Sequence, residues 1–255
     1  MIIPGSFAVA LKDPAASPLG PAAFLSGLGG HDQDSALRLL RAQPGFFGRR
    51  LPLEAARKLA AAAAAAGFET VLVSELDVKP LPAALSAVKV EPKAGGFAVQ
   101  ASGAVKFMPF EAVSFFTAAA YEAPVQPPSL AALKTGLFQK LSRLAGVPGP
   151  VPAAASGYRE TFFRADIIAE DGALRFLLEP ENLDFSPLGA ARSHSSLANF
   201  RALLGRISGP CFNAVKNPFL AAFLESRPLA ALKFAGPDAC DTDLSRLLLV
   251  ARRPG

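Results

Sequence analysis

A nucleophile and a base stand side by side in Ser193-His194-Ser195-Ser196. Acyl-transfer chemistry would need the imidazole to face a hydroxyl and a carboxylate to orient the ring. Residues adjacent in sequence rarely face each other in that way, and no acid is placed to hold the imidazole. The run therefore reads as a helix-capping serine beside an exposed histidine. His31, in a turn before a helix, reads the same way, and with only two histidines a His-rich metal site is excluded. Asp238, Cys240, Asp241 and Asp243 are also close together. A hard cation wants alternating oxygen ligands and a bidentate glutamate further on. That glutamate is missing and Cys240 suits such ions poorly, so a turn or helix cap is expected. Glu179, Glu181 and Asp184 could share acid–base work, but an acidic loop is the ordinary reading. Gly27, Gly29 and Gly30 lack both the spacing and the preceding strand of a dinucleotide or phosphate loop. No cofactor is expected, and a chain with no assembled catalytic set points to binding rather than catalysis.

The bulk properties agree with that. At 255 residues, half of them hydrophobic, the chain has ample material for a core, and its length suits one large domain or two ordinary ones. No run of about 20 uninterrupted apolar residues is present, so no transmembrane helix is expected. The start, MIIPGSFAVALKDP, makes a poor export signal, and two cysteines make a poor disulfide framework. Cys211 and Cys240 read as free buried thiols, and a cytoplasmic setting is expected. Residues 1–78 carry seven basic and seven acidic groups, and residues 79–255 carry nineteen and fourteen, so the net charge of +5 lies wholly in the second part. That density is far below the stripes that track a phosphate backbone, and nucleic-acid binding is not expected.

The elements that must position these residues follow from local chemistry. Ser6 to Lys12 reads as a strand. Pro21 opens a short helix that ends at Gly27, Gly29 and Gly30. Asp32 and Asp34 sit where carboxylates favour a helix start, ahead of Ala36, Leu37 and Leu40 at helical spacing. Pro44-Gly45 stops that helix. Pro52 starts the next one, seven alanines from Ala60 to Ala66 extend it, and Gly67 caps it ahead of a strand at Thr70 to Ser74. The order read is strand, helix, helix, helix, strand.

The run GLGG…DSALRLLRAQPG…LPLEAARKLAAAAAAAGFETVLV resembles the C-terminal domain of the bacterial ribosomal stalk protein and the related Clp protease adaptor fold. The likeness covers residues 6–76 and implies a small α/β sandwich. The stalk domain's contacts with translational GTPases use lysines and arginines around its glycine turn, where this chain has His31, Asp32 and Asp34. The Clp adaptor's Asn/Asp-rich segment is matched here by KDPAASP, with Asp13 its one counterpart. The resemblance carries the fold, and not either activity.

Beyond Asp77, VKPLPAALSAVKVEPK reads as a linker or docking segment. Phe97 to Phe107 reads as two strands with a turn near Ser102-Gly103, and FFTAAAY as another. Leu130 to Ala145 reads as a helix with a leucine stripe between proline-rich flanks, packed on its own domain or swinging as an arm for a partner groove or an anionic membrane face. Glu170-Asp171-Gly172 reads as a hairpin turn, and Ser195 or Ser196 caps a helix through Leu197, Phe200, Leu203, Leu204 and Ile207. After Gly209, VKNPFLAAFLES adds a helix and LSRLLLVA a strand or helix. The piece GGFAVQASGAVKFMPFEAVSFFTAAAY resembles a bacterial pleckstrin-homology-like domain, which implies a barrel closed by a helix.

The expectation is an α+β chain: residues 1–78 a stalk-domain or Clp-adaptor-like unit, residues 79–255 a larger β-rich barrel-like domain with a helical insertion near 129–145. Its expected function is protein–protein interaction. Small-ligand or anionic lipid-headgroup binding by the basic second part is the alternative, with peripheral membrane contact its corollary. The surface singled out for a partner is the acidic turn His31, Asp32 and Asp34 with the basic flank Arg38, Arg41, Arg49 and Arg50.

Overall fold

The computed structural model describes residues 6–12, 18–30, 32–77, 81–124 and 159–251. The described residues within Met1–Tyr121 and Phe163–Gly255 form one compact unit, and Glu122–Phe162 a second. In the second unit only the two strand ends are described, and Arg159 hydrogen-bonds there to the carbonyl of Glu122. The expected helix at Leu130–Ala145 lies outside the described residues, as do His31 and Asp13.

The chain begins with β1 (Ser6–Leu11), α1 (Leu19–Gly27), α2 (Gln33–Ala42), β2 (Phe46–Pro52), α3 (Leu53–Ala65) and β3 (Thr70–Ser74). The three strands make an antiparallel sheet in the order β2-β1-β3. Asp32 caps α2 by accepting from the Ser35 N–H. Gly67, at φ +84°, ends α3, and the Phe68 N–H reaches back to the Ala63 carbonyl. Strand β2 corrects the sequence reading, which placed nothing between the second and third helices. Alternation sends Val9, Leu11 and Phe47 to one face, where they pack on Ala22, Leu25, Ala36, Leu40, Ala56 and Ala63 of the helices. Ala8, Ala10, Phe46 and Val73 point to the other face.

A second sheet follows: β4 (Ala84–Lys93), β5 (Gly96–Ala101), β6 (Ala104–Pro109), β7 (Val113–Pro124), β8 (Arg159–Ala169), β9 (Leu174–Leu178) and the two-residue β10 (Val215–Lys216). Their order is β10-β7-β8-β9-β4-β5-β6, with β10 parallel to β7 and β4 parallel to β9. The sheet is open, with β10 and β6 at its edges, so the expected barrel does not close. The supposed linker is β4, the strand that joins the β5–β6 hairpin to β9. The hairpin turns sit where the sequence put them, with Ser102 at φ +50° and Gly103 at φ +79° between β5 and β6.

Helices α4 (Ser196–Ser208) and α5 (Pro218–Leu224) cover one face of this sheet, and α6 (Pro237–Ala251) covers part of the other. Adjacent residues divide between the faces. Phe116 and Ile167 join Phe200, Leu203, Ile207, Phe219 and Phe223 in the larger core, while Phe115 and Ile168 meet Leu244 and Leu247 of α6. Leu249, on the same helix, packs on the back of the small sheet. Both segments after Gly209 are therefore helical, and α6 lies between the two sheets. No described helix is long and apolar enough to cross a membrane.

The side chain of Arg246 on α6 is fully buried. Its Nε and Nη2 donate to Asp243 Oδ1 at 3.2 and 2.9 Å, and Nη1 donates to the Leu11 carbonyl at 3.0 Å. Gly45, at φ +71°, makes room for it, since a Cβ there would stand 2.1 Å from Arg246 Nε. Gly45→Ala should therefore cost more than Gly67→Ala, where φ is +84° but nothing lies within 4 Å of the new methyl. The second change should cost about 1–2 kcal/mol for its left-handed backbone alone. The first should exceed it by roughly 2 kcal/mol, because the methyl displaces a buried guanidinium. Urea unfolding midpoints of the two variants measure the difference.

Candidate functional site

Several of the charged residues that looked available for chemistry or binding are held within the chain. Asp32 is held below the usual carboxylate range first by the Ser35 N–H, then by the Ser35 hydroxyl and Arg38. Arg38 donates to the Ser35 hydroxyl, so the acidic turn and its nearest arginine form one local cap. Asp34 lies in the first turn of α2 and Arg41 in its last, both exposed. Arg49 and Arg50 are elsewhere, on β2. Glu75, only 5% exposed, accepts from Arg49 Nε and Nη2 and from the Arg50 N–H. Arg50 needs that bond, because its φ of +56° marks a bulge in the strand. Arg38 and Arg41 on one side, and Arg49 and Arg50 on the other, thus belong to different elements.

A second network is larger. Arg164 and Arg175, on neighbouring strands, both donate to the buried Asp166 and both reach Asp241 Oδ1 at 2.6 Å. Burial works against the Asp241 charge, but the Arg164 and Arg175 hydrogen bonds outweigh it and hold the carboxyl below its ordinary range. Asp241 is thus a clamp from α6 onto the sheet. Of the acidic run only Asp238 lies in the first turn of α6, while Asp241 and Asp243 stand further along the helix and pair with arginines instead of forming the expected turn or cap. Among the described residues no group of three His, Cys, Asp or Glu side chains converges as a metal site. Cys240 and Cys211 are free and buried, and burial pushes their thiols up to about 12 and about 11. Neither is a thiolate nucleophile at neutral pH.

Ser195 caps α4 by accepting from the Ala198 N–H, while Ser193 bonds the Ser195 backbone. His194 is exposed and makes no hydrogen bond or ion pair among the described residues. It lines a concavity of about 540 Å³ with Glu181, Arg192 and Ser196. Asn199 fixes that loop by bonding both the N–H and the carbonyl of Ser193. Of the acidic loop, Asp184 is lowered to about 2 by the Ser186 hydroxyl and N–H and by Lys89, and Glu179 accepts from Asn182. These carboxylates hold turns.

A feature the sequence reading passed over lies at the sheet edge. The outer side of β6 pairs with none of the described strands. Val105 and Phe107 are 69% and 48% exposed there, with Val88 exposed on β4. Phe107 crosses Gly96, where a Cβ would stand 2.7 Å from the ring and 2.3 Å from the Met108 carbonyl oxygen. The lysines around the patch are matched within the chain, Lys106 by Glu170, Lys89 by Asp184 and Lys93 by Glu91. Alternating Val and Phe on a strand was visible in the sequence, but their exposure depends on β6 being last in the sheet.

No family model, no curated protein and no solved structure matches the chain.

Glu75 sets a pH dependence. Burial raises its pKa, but the Arg49 side chain and the Arg50 N–H outweigh that and hold it below its ordinary value. Its contribution to stability is present above the carboxyl's unfolded pKa and is lost as pH falls through the lower folded one. Glu75→Gln should lose about 2–4 kcal/mol at pH 7, because it leaves Arg49 half-buried without a counter-charge. Urea titrations should show the gap to the parent shrinking as the pH drops below about 4.

Proposed function

We propose that this chain is a non-enzymatic binding protein that takes an extended segment of a partner protein onto β6. The observation that carries this reading is the open β6 edge with Val105 and Phe107 exposed beside it. An unpaired strand offers a row of N–H and C=O groups, and chains usually blunt such edges with charge or proline. Lys106 is already bound to Glu170, and Pro109 only ends the strand. Added strands draw affinity from main-chain hydrogen bonds and selectivity from alternate side chains. A partner segment with apolar residues at alternate positions would meet Val105 and Phe107. Because the surrounding lysines have partners of their own, its binding should depend little on salt.

The finer likeness of residues 6–76 to the stalk-domain and Clp-adaptor fold belongs to the same proposal. It is supported by the small antiparallel sheet with its helices on one face. A cytoplasmic setting fits the two free thiols.

A photo-crosslinking residue at position 105 or 107, in the native cell, should give a discrete protein adduct that is absent with the same residue at Ala64 on α3. Val105→Lys with Phe107→Lys should lower recovery of that partner by roughly tenfold or more. The unfolding midpoint should stay near that of the parent. No discrete adduct at either position would overturn the reading.

A further inference from the structure

The direction of each main-chain group along β6 follows from its hairpin. Ser102 at φ +50° and Gly103 at φ +79° make the two-residue turn that joins β5 to β6. Such a turn closes on a hydrogen-bonded pair, here Ala101 and Ala104, and the ladder then alternates. Lys106 and Met108 therefore turn their N–H and C=O inward, to Val99 and Phe97. The Phe110 N–H, bonded to the Gly95 carbonyl, keeps the same alternation. Val105 and Phe107 point theirs outward, away from β5. The next outward position is Pro109, which has no N–H. Between the turn and that proline, the open edge offers the N–H and C=O of just two residues.

These groups are complementary to themselves. A second β6 running antiparallel to the first, about a two-fold axis at Lys106, sets each Val105 opposite Phe107 of the other copy. Each such pair can exchange both of its N–H···O=C bonds. Moving the axis to Val105 pairs Phe107 with Gly103, in the turn and outside β6. Moving it to Phe107 sets the Val105 carbonyl against Pro109, which cannot donate. Among antiparallel registers, only the Lys106 axis satisfies every outward group of Val105 and Phe107 within β6. The side chains agree. Val105 and Phe107 share one face of the strand and are largely exposed. Each pair sets a β-branched residue against an aromatic one, a favourable cross-strand combination.

The axis also brings Lys106 of each copy together. Like charges directly opposite are unfavourable, but each Lys106 is paired with Glu170 of its own chain, so the facing groups are ion pairs of no net charge. We propose that the segment received by β6 is β6 of a second copy of this chain, in a symmetric dimer. The pairing rests on β6 being the binding edge, as proposed above, and names its occupant. A two-fold contact of this kind closes on itself and uses up the edge in both copies. So short a ladder should hold weakly, with a Kd on the order of 10–100 µM.

Sedimentation equilibrium of the full chain, from about 1 µM to about 1 mM, should show reversible exchange between monomer and dimer. Val105→Lys with Phe107→Lys should weaken the dimer by roughly tenfold or more. At the axis the facing Cα atoms would stand about 4.5 Å apart, within disulfide reach. Lys106→Cys is therefore combined with Glu170→Gln, which together remove both charges there. Oxidation should lock this variant as a covalent dimer, while Lys58→Cys, exposed on α3, should stay monomeric. The native thiols are buried and do not compete. A chain that remains monomeric up to about 1 mM overturns the proposal. So does a dimer indifferent to the paired lysine changes, or a residue-106 cysteine that links no better than the one at 58. The photo-crosslink at 105 separates the two proposals. A monomer that crosslinks to a different protein refutes self-pairing and leaves the β6 reading standing, and a monomer with no adduct refutes both.

Discussion

The buried guanidinium of Arg246 is the constraint on which the arrangement of the two sheets depends. A lone charge in that position would be expelled, so every donor needs a destination. Asp243, one turn back on the same helix, takes two of them, and the Leu11 carbonyl on β1 takes a third. The last bond crosses from the large sheet's helix to the small sheet's first strand. Gly45 is required by the same interaction, because any side chain there would occupy the space of the arginine. Leu244 and Leu247 on one side of α6 and Leu249 towards the small sheet supply the apolar surface around it.

Other buried charges follow the same logic. Arg164 and Arg175 stand side by side on β8 and β9, and two cations so close would repel without Asp166 between them and Asp241 above. Asp241 and Arg246 lie on one helix, so a single element carries both polar attachments, an ionic one to the large sheet and a hydrogen bond from a charged group to the small one. Such pairs add little net stability over apolar packing, but they discriminate strongly between docked positions, since any shift leaves a charge unmatched. The position of α6 is thus specified by polar groups and filled in by leucines.

What could be read in advance was local. Asp32 and Ser195 as helix caps, Gly67 as a helix end and the turns at Ser102-Gly103 and Glu170–Gly172 all rest on bonds within a few residues. The two strands that escaped notice are set from a distance. In β2, Gly48, Arg49 and Arg50 spoil the apolar alternation, and what holds the strand is Glu75, 25 or 26 residues on. Around β4, the prolines at 80, 82 and 92 of the sequence look like punctuation, yet the strand is set by β5 and by parallel pairing with β9. The setting of Asp243 was equally out of reach. Its helix spacing to Arg246 is plain in the sequence, but the cavity beside it is assembled from five separate stretches of chain.

The bond from Arg246 to the Leu11 carbonyl spans 235 positions of sequence. During synthesis β1 is made ahead of the other described elements, and the helices that cover one of its faces follow soon after. The opposite face, with Ala8, Ala10, Phe46 and Val73, waits until Leu249 has been added. From the making of β1 until that of α6, that face is exposed hydrophobic sheet, the kind of surface that chaperones hold. The nascent protein is therefore a stickier molecule than the finished one, and translation has to run nearly to the end of α6 before that changes.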